Sequence, residues 1–589
     1  MKRLIILLSL IFGQFANVFC NNIVSINTKE YLIDVNKKLI ITNINVDSVK
    51  NIYSGNKCHI SFDDLFELVT PVSKLDIGVG YTLYLLPDST IYTLYFTQLP
   101  LISIETNNTI INEPNRLANF KLIESNGNVI ESKIGIQLRG ATSQTYPKKC
   151  FEFEFWDDSI GVVSHDYKLL GMTTSDKWNL QAMYNEPLRI RSKTNNDLWR
   201  KINTLYYQNE EPDAINGIHM EYVELFLNGQ YQGVYCLGEK VNRKQLKLKK
   251  YSEEKGIRGE LYKGIKWGAS TFTHISTPTQ DSLTWLGLEY KHPDEKIDWT
   301  NMYNLVDFVI NSSDEDFYSN YQSKFDINNL VDYYIFINLL RATDNTGKNV
   351  YIAKYKTDGY YFYTPWDLDG SFGTIYNGTR AEYTDDLLFT TNGLFKRLIK
   401  DNSIGGFNDK LKTKWLSLRS TTITKDSLMS MFNENYNYLK VNGVYDREKL
   451  LWNGIKNPKN STWTEFFFTE YTFDESELEY MSSWISRRLS YLDKTFIEYT
   501  VARKEINILN EYKINIYPNP TKGFINLSIN STYFDEYQVT IYNTAGQLVL
   551  SQVCNESNNT ISLQHLEKGV FVIKIENKKN SLLQKIILM

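Results

Sequence analysis

The chain has 589 residues, about four domains at roughly 150 residues each, and its 42% hydrophobic, 22% charged and 14% aromatic residues exclude a wholly disordered or collagen-like chain. The 64 Lys+Arg against 68 Asp+Glu leave a net charge of −4, so no whole-molecule basic field is available to hold a phosphate backbone, and no nucleic-acid partner is expected. The six histidines are scattered, with neither HExxH nor a pair at ligand spacing, which leaves any metal to oxygen ligands.

Lys2 and Arg3 precede an apolar run over residues 4–12 and then Ala16, Val18 and Cys20, the charge, core and cleavage-site order of a signal peptide over residues 1–20. The run is shorter than the ~20 residues that cross a bilayer, so no transmembrane segment is expected after signal removal. Asn17, Val18 and Phe19 lack the small side chains that precede a lipidated cysteine. Cys58, Cys150, Cys236 and Cys554 have neither knuckle nor scaffold spacing and read as buried thiols, with Cys150–Cys236 the alternative pair.

Residues 22–108 alternate apolar and polar positions in short runs, as a small β-domain does. Residues 109–504 mix hairpins and amphipathic helices in one large α+β unit, residues 505–512 read as a linker, and residues 513–589 return to short strands of a β-sandwich. In that last segment Ile516-Tyr517-Pro518-Asn519-Pro520-Thr521, Ile541-Tyr542-Asn543-Thr544-Ala545-Gly546, Leu566-Glu567-Lys568-Gly569 and a terminal Lys585-Ile586-Ile587-Leu588 occur in order. This segment resembles the type A sorting domain of the type IX secretion system of the Bacteroidetes. The resemblance implies export through the periplasm to the surface or medium, with the type IX secretion machinery as a partner.

The stretch from Asp326 to Phe372 is the richest in chemistry. Asp326 or Asn328 can cap a helix whose apolar positions Leu330, Val331, Tyr334, Ile335, Leu339 and Leu340 recur near helical spacing, ending near Arg341. The loop beyond holds Asp344 and, five positions on, Asn349. A strand over residues 350–355, a turn at Thr357-Asp358-Gly359 and a second strand over residues 360–363 lead to Asp367 and Asp369. A three-residue turn sets Asn349 opposite Asp367, about 5 Å apart at Cβ. An amide oxygen and a carboxylate at that separation suit Mg²⁺, and Asp344 at the helix end is placed to accept a proton from an attacking hydroxyl. The competing reading makes Asp344 and Asn345 turn caps and Asp367 and Asp369 a solvated loop.

Strands over residues 134–139 and 151–155 enclose a hairpin loop, Gly140 to Lys149, whose hydroxyls and N–H groups can face phosphates while a Lys neutralises them; an ordinary hairpin is the alternative. Together with Tyr222-Val223-Glu224-Leu225-Phe226-Leu227-Asn228-Gly229 and Pro365-Trp366-Asp367-Leu368-Asp369, these blocks resemble the CotH kinase family over roughly residues 115–450. The resemblance implies an α+β, atypical protein-kinase-like two-lobed domain, flanked by the small β-domain and the β-sandwich. It implies ATP and Mg²⁺ or Mn²⁺, and transfer of the γ-phosphate to Ser/Thr of a secreted or surface protein. Asp344 takes the place of the catalytic Asp; Asn349, Asp367 and Asp369 those of the metal ligands; Arg139, Gly140, Ser143 and Lys148 or Lys149 those of the nucleotide contacts. Strand parity with Phe151 and Phe153 favours Lys149. Asn185 and Glu186 stand where the family carries an Asp, and the loop Gly140-Ala141-Thr142-Ser143 lacks the family's Asn. Two other classes compete: a non-catalytic surface binding or adhesion protein on a kinase-like scaffold, and a glycoside hydrolase pairing Asp344 with Asp367. The basic stretch Lys240, Arg243, Lys244, Lys247, Lys249 and Lys250 reads as a solvated face.

Overall fold

The computed structural model describes residues 23–26, 29–50, 59–69, 75–455, 473–498, 514–529, 536–555, 558–576 and 581–589. The expected signal over residues 1–20, Cys58 and the linker over residues 505–512 lie outside them. The chain divides into two compact units, residues 1–394 with 418–488, and residues 395–417 with 489–589.

In the first unit the short N-terminal strands build a seven-stranded sheet, from Ile23–Ser25 at one edge to Tyr31–Asp34 at the other. Its apolar face is closed by Ile40, Ile60, Phe66, Leu83 and Leu94. Leu101–Glu105, inside the segment expected to belong to the small β-domain, instead pairs with Arg116–Ile123 and Met220–Leu227 in a closed barrel. Val129–Leu138, Phe151–Trp156, Lys177–Gln181 and Gln230–Gly238 complete the barrel. Closure follows from period-two patterning: Ile134, Ile136, Phe153, Phe155, Leu180 and Leu225 all turn inward, and Phe120 stacks on Phe153 at 5.1 Å.

Sheet and barrel share a second core of Leu39, Ile41, Tyr95, Leu101, Phe226 and Tyr231. Asp34 Oδ2 accepts the Tyr231 N–H at 2.9 Å, and Asn43 Nδ2 donates to the Ile123 carbonyl at 2.9 Å. The fully buried Arg447 binds Glu224 and sits 4.9 Å from the Tyr95 ring.

Beyond the barrel, Thr284–Trp285, Leu288–His292, Glu260–Gly264, Val350–Lys354 and Tyr361–Pro365 form a five-stranded sheet in that order. Behind it lies helix Ile327–Leu340, buried on nearly every side, as its mostly apolar sequence requires. Asp326 caps it by accepting the N–H groups of Asn328 and Asn329, and Arg341 ends it in the left-handed conformation, φ 52°. The chain is thereby turned straight into the short helical turn Thr343–Asn345.

In the second unit, Trp415 donates to Asp493 Oδ1 at 3.0 Å and packs edge-on to Phe496. A three-stranded sheet (Ile514–Tyr517, Phe524–Ile529, Asn558–Ser562) and a four-stranded sheet (Tyr537–Asn543, Leu548–Cys554, Gly569–Glu576, Ser581–Leu588) bury Ile525, Leu527, Val539, Ile541, Ile573 and Ile586 together. The architecture is therefore mixed α+β with a β-rich C-terminal region. Cys150, Cys236 and Cys554 are buried free thiols, so the alternative Cys150–Cys236 pair does not form. Among the described residues, no helix is long and apolar enough to cross a membrane.

Candidate active site

Asp344, Asn349, Asp367 and Asp369 line one cavity of about 660 Å³, together with Arg139, Gly140, Ser143 and Lys148. Asp344 lies in the turn after helix Ile327–Leu340, partly buried, with Oδ2 2.9 Å from Lys348 Nζ. Its neighbour Asn345 is buried and donates from Nδ2 to the carbonyls of Asn349 at 2.9 Å and Trp366 at 2.7 Å. One amide thus ties the turn to both ends of the hairpin that carries the acidic loop.

The hairpin register differs from the expected one. Val350 pairs with Pro365 and Lys354 with Tyr361, because the connection is built on a β-turn closed by Gly359 N–H to Lys356 O at 2.8 Å, not on a three-residue loop. Trp366, not Asp367, therefore stands opposite Asn349, and its N–H donates to the Asn349 carbonyl at 3.0 Å. A one-residue shift ordinarily sends a side chain to the other face. Here Asn349 and Asp367 both adopt left-handed backbone, φ 53° and 58°, which breaks strand alternation and returns both to the cavity.

Asp369 is held by Asn185 Nδ2 at 2.7 Å and by the Gly370 N–H at 2.8 Å. Burial raises its carboxyl well above the usual carboxylate range, and the neighbouring charge of Asp367 adds to the shift. The two carboxylates, that of Asp369 raised by burial and by the charge of its neighbour, form a donor set that a divalent cation would relieve. With the Asn349 amide they match Mg²⁺, which takes few protein oxygens and leaves its other positions to water and phosphate. Among the described residues, no three His, Cys, Asp or Glu side chains converge as a closed metal centre.

On the barrel side, Gly140 has φ 92°, and a Cβ there would lie 2.0 Å from Ser143 Oγ. That hydroxyl turns back to donate to the Arg139 carbonyl at 3.1 Å, inside the helical turn Thr142–Thr145. The two lysines diverge. Phe151 and Phe153 face the barrel core, so the parity that favoured Lys149 points away from the cavity; Lys149 donates to the Gln144 carbonyl at 2.8 Å. Lys148 lines the cavity, fully buried, with Nζ 2.7 Å from Glu448 Oε1 and 2.6 Å from the Val234 carbonyl. Glu448 also pairs with Arg189 at 2.9 Å. Burial pushes Lys148 down to about 8; burial raises Glu448 too, but the charges of Lys148 and Arg189 outweigh it and hold that carboxyl below the usual range.

Three groups that build the site escaped the sequence reading, and a fourth, Asn345, was read only as a turn cap. Glu448 comes from helix Val444–Trp452, 300 positions from Lys148, and Gly233 makes room for it, since a Cβ there would lie 2.0 Å from Oε1. Asn195 Nδ2 donates to the Leu368 carbonyl at 2.7 Å and to Ser371 Oγ at 2.6 Å, fixing the acidic loop from helix Arg191–Ile202. Asn345 and Lys263 complete the set. Lys240, placed in a solvated basic face from the sequence, instead lines the cavity and pairs with Glu152 at 2.6 Å.

Residues 136–492 match the family model described as CotH kinase protein, and residues 515–589 match that of the secretion system C-terminal sorting domain. No curated protein matches the chain. The sorting domain assigns the protein to type IX secretion, and so to the cell surface or the extracellular space. With more than half of its length inside the first of these matches, the chain belongs to the CotH kinase protein family.

Proposed function

We propose that the protein is an exported, ATP-dependent protein kinase that phosphorylates Ser or Thr of a secreted or surface protein. The barrel and the sheet-and-helix part are read as its two lobes. The observation that carries the reading is the convergence on one cavity of Asp344, Asn349, Asp367 and Asp369 from the helix-and-sheet side and of Arg139, Gly140, Ser143 and Lys148 from the barrel side. A buried Lys–Glu pair, here Lys148 and Glu448, is also what protein kinases require in their active arrangement.

Asp344 accepts the proton of the attacking hydroxyl as its oxygen bonds to the γ-phosphorus and the bond to the ADP oxygen breaks. Lys348 keeps Asp344 oriented at the cavity wall. Asp367, Asp369 and Asn349 are the residues that hold Mg²⁺ or Mn²⁺, which neutralises phosphate charge when bound. Asn345 and Asn195 fix the two segments that carry them.

The test is phosphate incorporation from labelled ATP into the protein itself or a generic acceptor, run beside a thermal-shift titration. ATP with Mg²⁺ or Mn²⁺ is expected to stabilise the native chain, by about 2.7 kcal/mol at a hundredfold excess over Kd. Asp344→Asn should keep that stabilisation and lose incorporation by about 10²- to 10⁴-fold, while Asp367→Ala should lose both. A wild-type protein that is neither stabilised nor labelled under either metal overturns the reading.

A further inference from the structure

The cations that line the cavity are not equivalent. Lys148, Lys177, Lys240, Lys291 and Lys348 each pair with a carboxylate, those of Glu448, Glu154, Glu152, Glu289 and Asp344 respectively. Arg139 and Lys263 have no such partner among the described residues. Both are centred on one indole: the Arg139 guanidinium carbon is 5.0 Å and Lys263 Nζ 5.7 Å from the Trp366 ring centroid, and Lys263 Nζ is 5.8 Å from that of Tyr351. Trp366 is buried and immediately precedes Asp367, so the two cations stand beside the acidic loop and not at a remote rim. Burial lowers the Lys263 ammonium, and the repulsion of Arg139 and Lys291 adds to the effect against the attraction of Glu289 and Asp367. An aromatic face offsets only part of the cost of withdrawing a cation from water. Lys148 is already neutralised, its ammonium held between Glu448 and the Val234 carbonyl.

We propose that Arg139 and Lys263 form the polyphosphate-binding pole of the cavity, gripping the phosphate chain of the nucleotide beside the Lys148–Glu448 pair. This rests on the nucleotide-binding part of the proposed function and assigns a phosphate contact to Lys263, on strand Glu260–Gly264, outside every motif that the sequence displays. The fork of Arg139 and the point charge of Lys263 suit a chain of non-bridging oxygens.

The experiment titrates the full chain with sodium tripolyphosphate, ATP and adenosine by calorimetry. Lys263→Met and Arg139→Gln should each weaken tripolyphosphate and ATP by about tenfold or more, the scale of one lost charge-assisted contact, and leave adenosine unchanged. Lys263→Arg should restore most of the loss, and unliganded melting temperatures serve as the check on folding. Wild-type binding of ATP that Lys263→Met and Arg139→Gln leave intact overturns this assignment and spares the kinase reading. Variant-sensitive tripolyphosphate binding without phosphate incorporation upholds the assignment and removes the kinase reading. A wild type that binds neither polyanion removes both.

Discussion

The energetic centre of the site is a charge cluster closed off from water. Lys148, Glu448 and Arg189 are all fully buried, so each depends on the others for the solvation it has lost. Removing the anion strands two cations, and Glu448→Gln should destabilise the protein by about 3–5 kcal/mol near neutral pH. The sign of its pH dependence follows from Lys148, which sits at about 8 in the intact protein. Without Glu448 the ammonium has lost its chief attraction, so its proton leaves the native variant below pH 8 while the unfolded chain keeps it. The variant therefore gains stability as pH rises from 6 toward 8, a range over most of which this group is protonated in both states of the wild type and contributes little slope. Denaturant unfolding at pH 6 and pH 8 should show a smaller penalty at the higher pH; an equal penalty at both would show that Lys148 does not feel Glu448. Asp344, Asn349 and Asp367 were readable in sequence because a short helix–loop–hairpin places them, whereas Glu448 was not, since only tertiary packing brings it to Lys148.

At the scale of elements, the site is a junction of a helix end, a hairpin and a loop, and Asn345 joins all three. The capped start of helix Ile327–Leu340 and its end near Arg341 follow from Asp326 and from the apolar run, and both were legible, whereas the left-handed backbone at Arg341 was not. The hairpin strands were legible too, but their register was not. Lys356-Thr357-Asp358-Gly359 can be read as a three-residue loop or as a β-turn, and the composition fits either. The left-handed backbone of Asn349 and Asp367 then compensates for the shift, and no local propensity announces it. Asn345→Ala removes both ties, leaving the Trp366 carbonyl without this donor, and should cost about 1–3 kcal/mol in denaturant unfolding. Calorimetric Mn²⁺ affinity should fall in the same variant, because Asn349 and Asp367 lose their common anchor. Unchanged Mn²⁺ binding in a destabilised variant would reduce Asn345 to a structural tie alone.

At the scale of the whole molecule, the two ends of the chain stand differently toward the catalytic candidate. The N-terminal sheet is continuous with it: Leu39, Ile41 and Tyr95 share a core with barrel residues, and Arg447, the residue before Glu448, meets Glu224 and Tyr95. Period-two patterning revealed that β-region in sequence, but its union with the barrel depends on contacts such as Asn43 to Ile123 that no motif encodes. The sorting domain has a core of its own, drawn from residues between Ile516 and Leu588. Its removal deletes an address and not part of the cavity, none of whose lining residues lies beyond Tyr376. A chain lacking residues 515–589 should therefore keep the ATP- and metal-dependent stabilisation proposed for the full protein while accumulating in the periplasm. Fractionation followed by thermal-shift assay of the periplasmic pool reads both outcomes. Surface delivery of the truncated chain would contradict the sorting role, and loss of nucleotide response in a folded periplasmic product would show that the tail supports the site.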